Sequence, residues 1–188
     1  MKSGTTRPTL IAAALLTMGI GHAAGAQTPA QDWITPAIPG FGAVRPLPQA
    51  RYRPSGHDQI KVVFDVHRAA PQADRINPAL ERVAATINAY VAGGTPLDQL
   101  KLVAVIAGAA TPAALDDAHY RQRFGRPNPN LPLLAALTKA GVDIVVSGQS
   151  LARQRFADDW IAQPVALALS SATTLTLLEQ QGYAALVL

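Results

Sequence analysis

From Ile60 to Leu188, short runs of β-branched and apolar residues alternate with longer stretches that carry helix-start and helix-stop signals. That alternation limits the fold more than any other feature. Ile60 to Val66 (IKVVFDV) is rich in branched and aromatic side chains and predicts a buried strand. Asn77-Pro78 then offers a capping side chain followed by a proline at the first helical position. Leu80, Val83, Ile87 and Val91 fall on one face of the helix this starts, and Gly93-Gly94 stops it. Leu100 to Ile106 (LKLVAVI) predicts the second strand, and Thr111-Pro112 repeats the cap-and-proline signal for a helix through Phe124. Asn128-Pro129-Asn130 reads as a turn leading into a helix from Leu131 to Ala140, which Gly141 ends. A strand over Val142 to Val146, a short helix around Ala152 to Asp159, a strand over Val165 to Leu169, a helix over Ser171 to Gln181 and a last strand over Tyr183 to Leu188 complete the series. Strands joined through helices pair in parallel, so the expected fold is α/β: a three-layer α/β/α sandwich on a mainly parallel sheet of about five strands. Right-handed crossovers restrict the topology but leave the strand order open.

The segment before Ile60 has a different character. Lys2 and Arg7 precede an apolar run from Leu10 to Ile20, and Ala24-Gly25-Ala26 supplies small residues of the kind signal peptidases cut. The run is shorter than the roughly 20 apolar residues a bilayer span needs. The reading is therefore an export signal over residues 1–26, cleaved between Ala26 and Gln27, giving a periplasmic or secreted protein with no stable membrane insertion. Residues 27–58 carry Pro29, Pro36, Pro39, Pro46, Pro48 and Pro54 and predict an extended arm. Within it Trp33, Ile34, Ile38, Phe41 and Val44 are apolar enough to lie against the domain or a neighbouring subunit. Residues 59–188 form the folded domain.

The formal net charge is +4 for the whole chain, and loss of Lys2 and Arg7 with the signal, which holds no acidic residue, leaves +2. A surplus that small argues against nucleic-acid binding, and the spaced Arg45, Arg51 and Arg53 are read as a solvated face. The chain contains no cysteine. It therefore cannot form a disulfide, hold a persulfide or ligate a metal or cluster through thiolate, and its stability must come from its core.

Several stretches, in order and at consistent spacing, resemble the DsrE/DsrF-like family in its exported branch: KVVFDV (Lys61 to Val66), NPALERVA (Asn77 to Ala84), Tyr120 to Gly125 with NPNL (Asn128 to Leu131), AGVDIVVSGQSL (Ala140 to Leu151), VALALS (Val165 to Ser170) and QGYA (Gln181 to Ala184). The resemblance spans the folded part and implies a small α/β protein that forms homo-oligomers, often trimers or hexamers, in a family whose best-known members relay sulfur through a cysteine persulfide. It also implies two departures here. Many members resemble VCGQ where this chain has Val146-Ser147-Gly148-Gln149, and exported relatives tend to read HG after the second strand where it has Ala107-Gly108. A thiol with a pKa of about 8.5 is partly ionised near neutrality, whereas a serine hydroxyl stays protonated without a base beside it and cannot store sulfane sulfur.

Open parallel sheets bind ligands beyond the carboxyl ends of their strands. Here those ends offer Asp65, His67, Gly108, Ser147, Gly148 and Gln149 as candidate ligand-binding residues. Asp65 and His67 fall on one side of the first strand, a spacing that suits a metal or a base with its orienting carboxylate, or a plain hydrated or salt-bridged pair. Ser147 lacks the G-x-S-x-G setting of a nucleophile, which leaves ligand contact or helix capping. No catalytic residue, metal or cofactor is assigned. The expected function is a non-catalytic exported protein that self-associates and binds a small ligand or protein partner. The alternatives are an accessory of periplasmic sulfur metabolism that binds a sulfur-carrier protein and, less favoured, a Ser/His/Asp-dependent enzyme.

Overall fold

A computed structural model of the chain describes residues 32–54 and 59–188, besides Met1 and Gly4. The export-signal reading and its cleavage position thus fall outside the described residues. Among the described residues five strands form one sheet: β1 (Ile60–Val66), β2 (Leu100–Ile106), β3 (Val142–Ser147), β4 (Ala166–Ala168) and β5 (Ala184–Val187). Every pairing is parallel and the order is β4-β3-β2-β1-β5. The sandwich and its parallel sheet match the alternation in the sequence.

Strand periodicity sorts the side chains into two faces. Val62, Phe64 and Val66 of β1, Leu102, Ala104 and Ile106 of β2, and Val142, Ile144 and Val146 of β3 join the main core. Helix α1 (Pro78–Gly93) adds Leu80, Val83 and Ile87, and α3 (Leu131–Lys139) adds Leu133, Leu134 and Leu137. The alternate residues Val63, Val103 and Val105 make a much smaller cluster under Leu175 and Leu178 of α5 (Ser171–Gln180) and Tyr183. No residue of α5 is fully buried, so this layer is thin.

Helix α1 starts and stops where its signals lie. The Asn77 side chain accepts from Ala79 N, and Gly94 closes the helix at φ 110°. The expected helix from Thr111 to Phe124 is instead two elements. A 3₁₀ helix (Gly108–Ala114) ends at Leu115, which bridges to Ile161, and α2 (Asp117–Phe124) starts anew with Asp116 accepting from His119 N. Thr111 does not cap: its hydroxyl donates back to Gly108 O at 2.7 Å. The short helix expected near Ala152 begins earlier, as α4 (Gly148–Gln154), because β3 runs straight into its cap at Ser147. A separate 3₁₀ turn covers Asp158–Trp160.

The described part of the arm is not extended throughout. Ile34 and Val44 exchange two backbone hydrogen bonds of 2.9 Å, with Gly40 and Gly42 at positive φ between them, so the chain closes a loop. That loop sits on α1. Ile38 is fully buried in the main core, and Asn88 of α1 accepts from Ala37 N and Ile38 N and donates to Phe41 O and Gly42 O, all at 2.9 Å. A side chain at Gly42 would collide with the backbone of Ala84 and Ala85. Trp33 is mostly exposed.

Candidate functional site

The six candidate residues lie where β1, β2 and β3 deliver their carboxyl ends. In the β1 group, His67 Nδ1 lies 3.4 Å from Asp65 Oδ2. That is within ion-pair reach but off the line of a hydrogen bond, so Nδ1 is buried with no hydrogen-bond partner. The Asp65 carbonyl accepts from Leu188 N at 3.0 Å, which ties this corner to the far end of the chain.

The β2 and β3 ends are joined through Gly108. Its N–H donates to Ser150 Oγ at 3.1 Å, and its carbonyl accepts from Gln154 Nε2 at 2.6 Å as well as from Thr111. Gly108 holds a left-handed φ of 52°, and a Cβ there would stand 3.3 Å from His67 O. Glycine is required both for the conformation and for the close approach of the β1 loop. Ala107 N donates to Val66 O at 2.9 Å, fixing the two strand ends side by side.

Ser147 is 1% exposed, and its Oγ accepts from Ser150 N at 3.3 Å as the cap of α4. Ser150 therefore gives its backbone N–H to Ser147 and uses its hydroxyl to hold Gly108. Among the described residues no hydrogen bond joins Ser147 to Asp65 or His67, so the three do not form a relay. Gly148 is pressed by the neighbouring strand, since a Cβ there would lie 3.2 Å from Ala168 O. Gln149 is exposed. The arrangement is a shelf of hydrogen-bonded backbone groups with the Asp65 and His67 side chains along one margin and Gln149 exposed beside α4. Among the described residues no three His, Asp or Glu side chains gather closely enough to hold a metal ion.

Beside this shelf lies a cleft of about 160 Å³ that none of the six candidates lines. Ala69, Pro71 and Ala73 from the loop after β1 face Ala109, Pro112 and Ala113 from the 3₁₀ helix, over a floor of Tyr120 and Phe124. Their rings are 4.6 Å apart. Tyr120 OH donates to Ala73 O at 2.8 Å, and burial pushes the phenol above its ordinary pKa. Three buried asparagines brace the cleft. Asn77 N donates to Asn130 Oδ1 at 2.7 Å, Asn130 N and Nδ2 both donate to Asn128 Oδ1, and Asn128 Nδ2 donates to the carbonyls of Ala113 and Leu115. Asn77 Nδ2 also donates to Arg68 O at 2.8 Å. The walls are thus mainly methyl groups, with amides behind them that already have partners.

A second Asp–His pair lies at the start of α2, where Asp116 caps the helix that carries His119. His119 Nδ1 is 2.8 Å from Asp116 Oδ2, and the imidazole stacks on Trp160 at 4.4 Å between ring centres. Burial of Asp116 opposes its ionisation, but hydrogen bonds from the His119 backbone and ring outweigh it and hold the carboxyl below its ordinary pKa. Asp117 is also lowered, by the hydrogen bond from Arg121 and then that from Asn128 N.

The fold defines a small α/β protein whose candidate residues gather at the carboxyl ends of a parallel sheet. Residues 61–188 match the model of the DsrE/DsrF-like family, and the chain belongs to that family, which is associated with sulfur relay. No curated protein matches it. Among solved structures it is similar to the protein of unknown function MTH1491 from Methanobacterium thermoautotrophicum, with 16% identity, coverage of 69% of this chain and 99% of that one, and a TM-score of 0.49.

Proposed function

We propose that this chain is an exported, homo-oligomeric DsrE/DsrF-like protein that binds a small ligand or a protein partner and does not itself carry sulfur. The observation that carries the reading is the complete absence of cysteine from a member of a sulfur-relay family. On this reading Ser147 stands at the family's cysteine position, and its hydroxyl is spent inside the fold as the cap of α4. The shelf at Asp65, His67, Gly108, Gly148 and Gln149 supplies polar contacts and the adjoining cleft supplies space.

Self-association is supported by the thin layer of the sandwich. Leu167, Leu169, Leu177 and Val187 are each at least half exposed, apolar surface that suits contact with a second copy. Export is supported by the basic start, apolar run and small residues before Gln27.

The test is a persulfide-transfer assay on the chain from Gln27 beside its Ser147→Cys variant. The natural sequence is expected to accept no sulfur, and acceptance only by the variant would mark the shelf as a relay frame without its nucleophile. Turnover of thiosulfate or persulfide by the natural sequence, free of contaminating enzyme, overturns the proposal. A second reading, favoured by the family's chemistry, is an accessory of periplasmic sulfur metabolism that recognises a sulfur-carrier protein. A pull-down with a persulfidated carrier that recovers no complex argues against it.

A further inference from the structure

The segment Arg45 to Arg53 (RPLPQARYR) combines three arginines with no acidic residue, and all nine of its residues are exposed. Among the described residues none of the three arginines forms an ion pair with a carboxylate. Leu47 is 53% and Tyr52 92% exposed. The segment does not dangle. Arg53 donates to Pro48 O at 2.9 Å and to Gly93 O at 3.3 Å, which holds it against the last turn of α1. A shallow cavity of about 180 Å³ lies there, where Arg45, Leu47, Tyr52 and Arg53 meet Ala89 and Ala92. Arg51 sits 5.9 Å over the Tyr52 ring.

Arginines whose charge is uncompensated, interleaved with an exposed leucine and tyrosine on a pre-ordered support, suit one kind of partner. Basic groups gain from a negatively charged surface, apolar and aromatic side chains gain from the boundary between headgroups and acyl chains, and a segment already held in place loses little entropy on docking. A partner recognised through acidic side chains alone would answer the charge and leave Leu47 and Tyr52 in water. We propose that Arg45–Arg53 is a docking surface on which the domain lies against an anionic phospholipid bilayer, reaching its headgroup boundary without spanning it. Arg45 and Arg51 provide the electrostatic attraction and Leu47 and Tyr52 the shallow insertion. Arg53 is a positioning residue that keeps the segment on α1.

The test is co-sedimentation of the chain from Gln27, which retains the whole compact unit Gln31–Leu188, with vesicles of phosphatidylglycerol and phosphatidylcholine. Starting at Gln27 removes the apolar run that would partition by itself. The expected result is binding to mixed vesicles, weakening with salt, and none to pure phosphatidylcholine. Arg45→Gln with Arg51→Gln should lower partitioning about 30-fold, and Leu47→Ser with Tyr52→Ser about tenfold. None of these four side chains makes a hydrogen bond within the described structure, so circular dichroism should show an intact fold. Absence of binding at low salt, equal binding to neutral vesicles, or unchanged binding by either double variant overturns the proposal. So does displacement from vesicles by soluble polyglutamate at comparable affinity, which would assign the surface to an acidic protein.

Discussion

Replacement of Asn88 by alanine tests whether the loop over Ile34–Val44 belongs to the fold or merely rests on it. Asn88 is fully buried in the middle of α1, and its amide uses two acceptor and two donor positions on the loop backbone. Each bond is worth about 1 kcal/mol net, and a buried N–H left without a partner costs about 1–3 kcal/mol. Truncation leaves Ile38 N in that position, with Ala37 N partly so, which sets the expected loss at about 3–5 kcal/mol. There is a ceiling: if the loop detaches instead, the loss equals its docking free energy, including burial of Ile38 at about 2 kcal/mol. Urea unfolding by circular dichroism measures the global loss, and amide exchange at Ala37 and Ile38 separates detachment from global unfolding. Thr35→Ala serves as a control, because its hydroxyl makes only an exposed 3.4 Å contact with Gly40 N. Should Asn88→Ala cost less than about 1 kcal/mol while both amides stay protected, the four-bond anchor is not what holds the loop.

Three further outcomes are expected. Gly108→Ala should destabilise the domain by about 1–2 kcal/mol in thermal unfolding, since it forces a Cβ into a left-handed backbone beside His67 O. Tyr120→Phe should cost about 1 kcal/mol through loss of the bond to Ala73 O, and faster exchange in the loop over Ala69–Ala73 would show that this bond holds one wall of the cleft. Asp117 has a folded pKa below its ordinary value of 3.8, so the stability it contributes is present above that value and is lost as pH falls toward the folded pKa. Asp117→Asn should therefore flatten the acid limb of stability against pH in that window, read by unfolding at stepped pH.

The elements legible in the sequence are those whose causes are local. Asn77-Pro78 caps and starts α1 with its own atoms, and the β-branched runs around Val63, Val103 and Ile144 have no competing structure nearby. Thr111-Pro112 carries the same local signal but fails, because Leu115 is held by Ile161 and Asp116 N by Trp160 O, partners more than 40 residues away. The candidate site divides in the same way. The strand ends that offer Asp65, His67 and Gly108 could be read, but the holding of Gly108 by Ser150 and Gln154 could not. Asn88 shows the limit most clearly, since a lone asparagine within a helix reads as solvent-facing until its partners 46 to 51 residues upstream are folded onto it.

The strand order also sets a timetable for assembly. β1 is the first of the five sheet strands in chain order, yet one of its two neighbours is β5, the last of them, so Lys61 meets Gln181 across 120 residues. Strands β1 to β4 can pair as they emerge in order, while the outer edge of β1 keeps its backbone donors and acceptors free until β5 arrives. Closing so long a loop is slow, and an unpaired edge can recruit a strand from another chain. Leu188 N on Asp65 O marks where that exposure ends. The same corner that offers the polar margin of the shelf is thus the last part of the sheet to be sealed, and a newly made chain presents β1 to other chains before the shelf is complete.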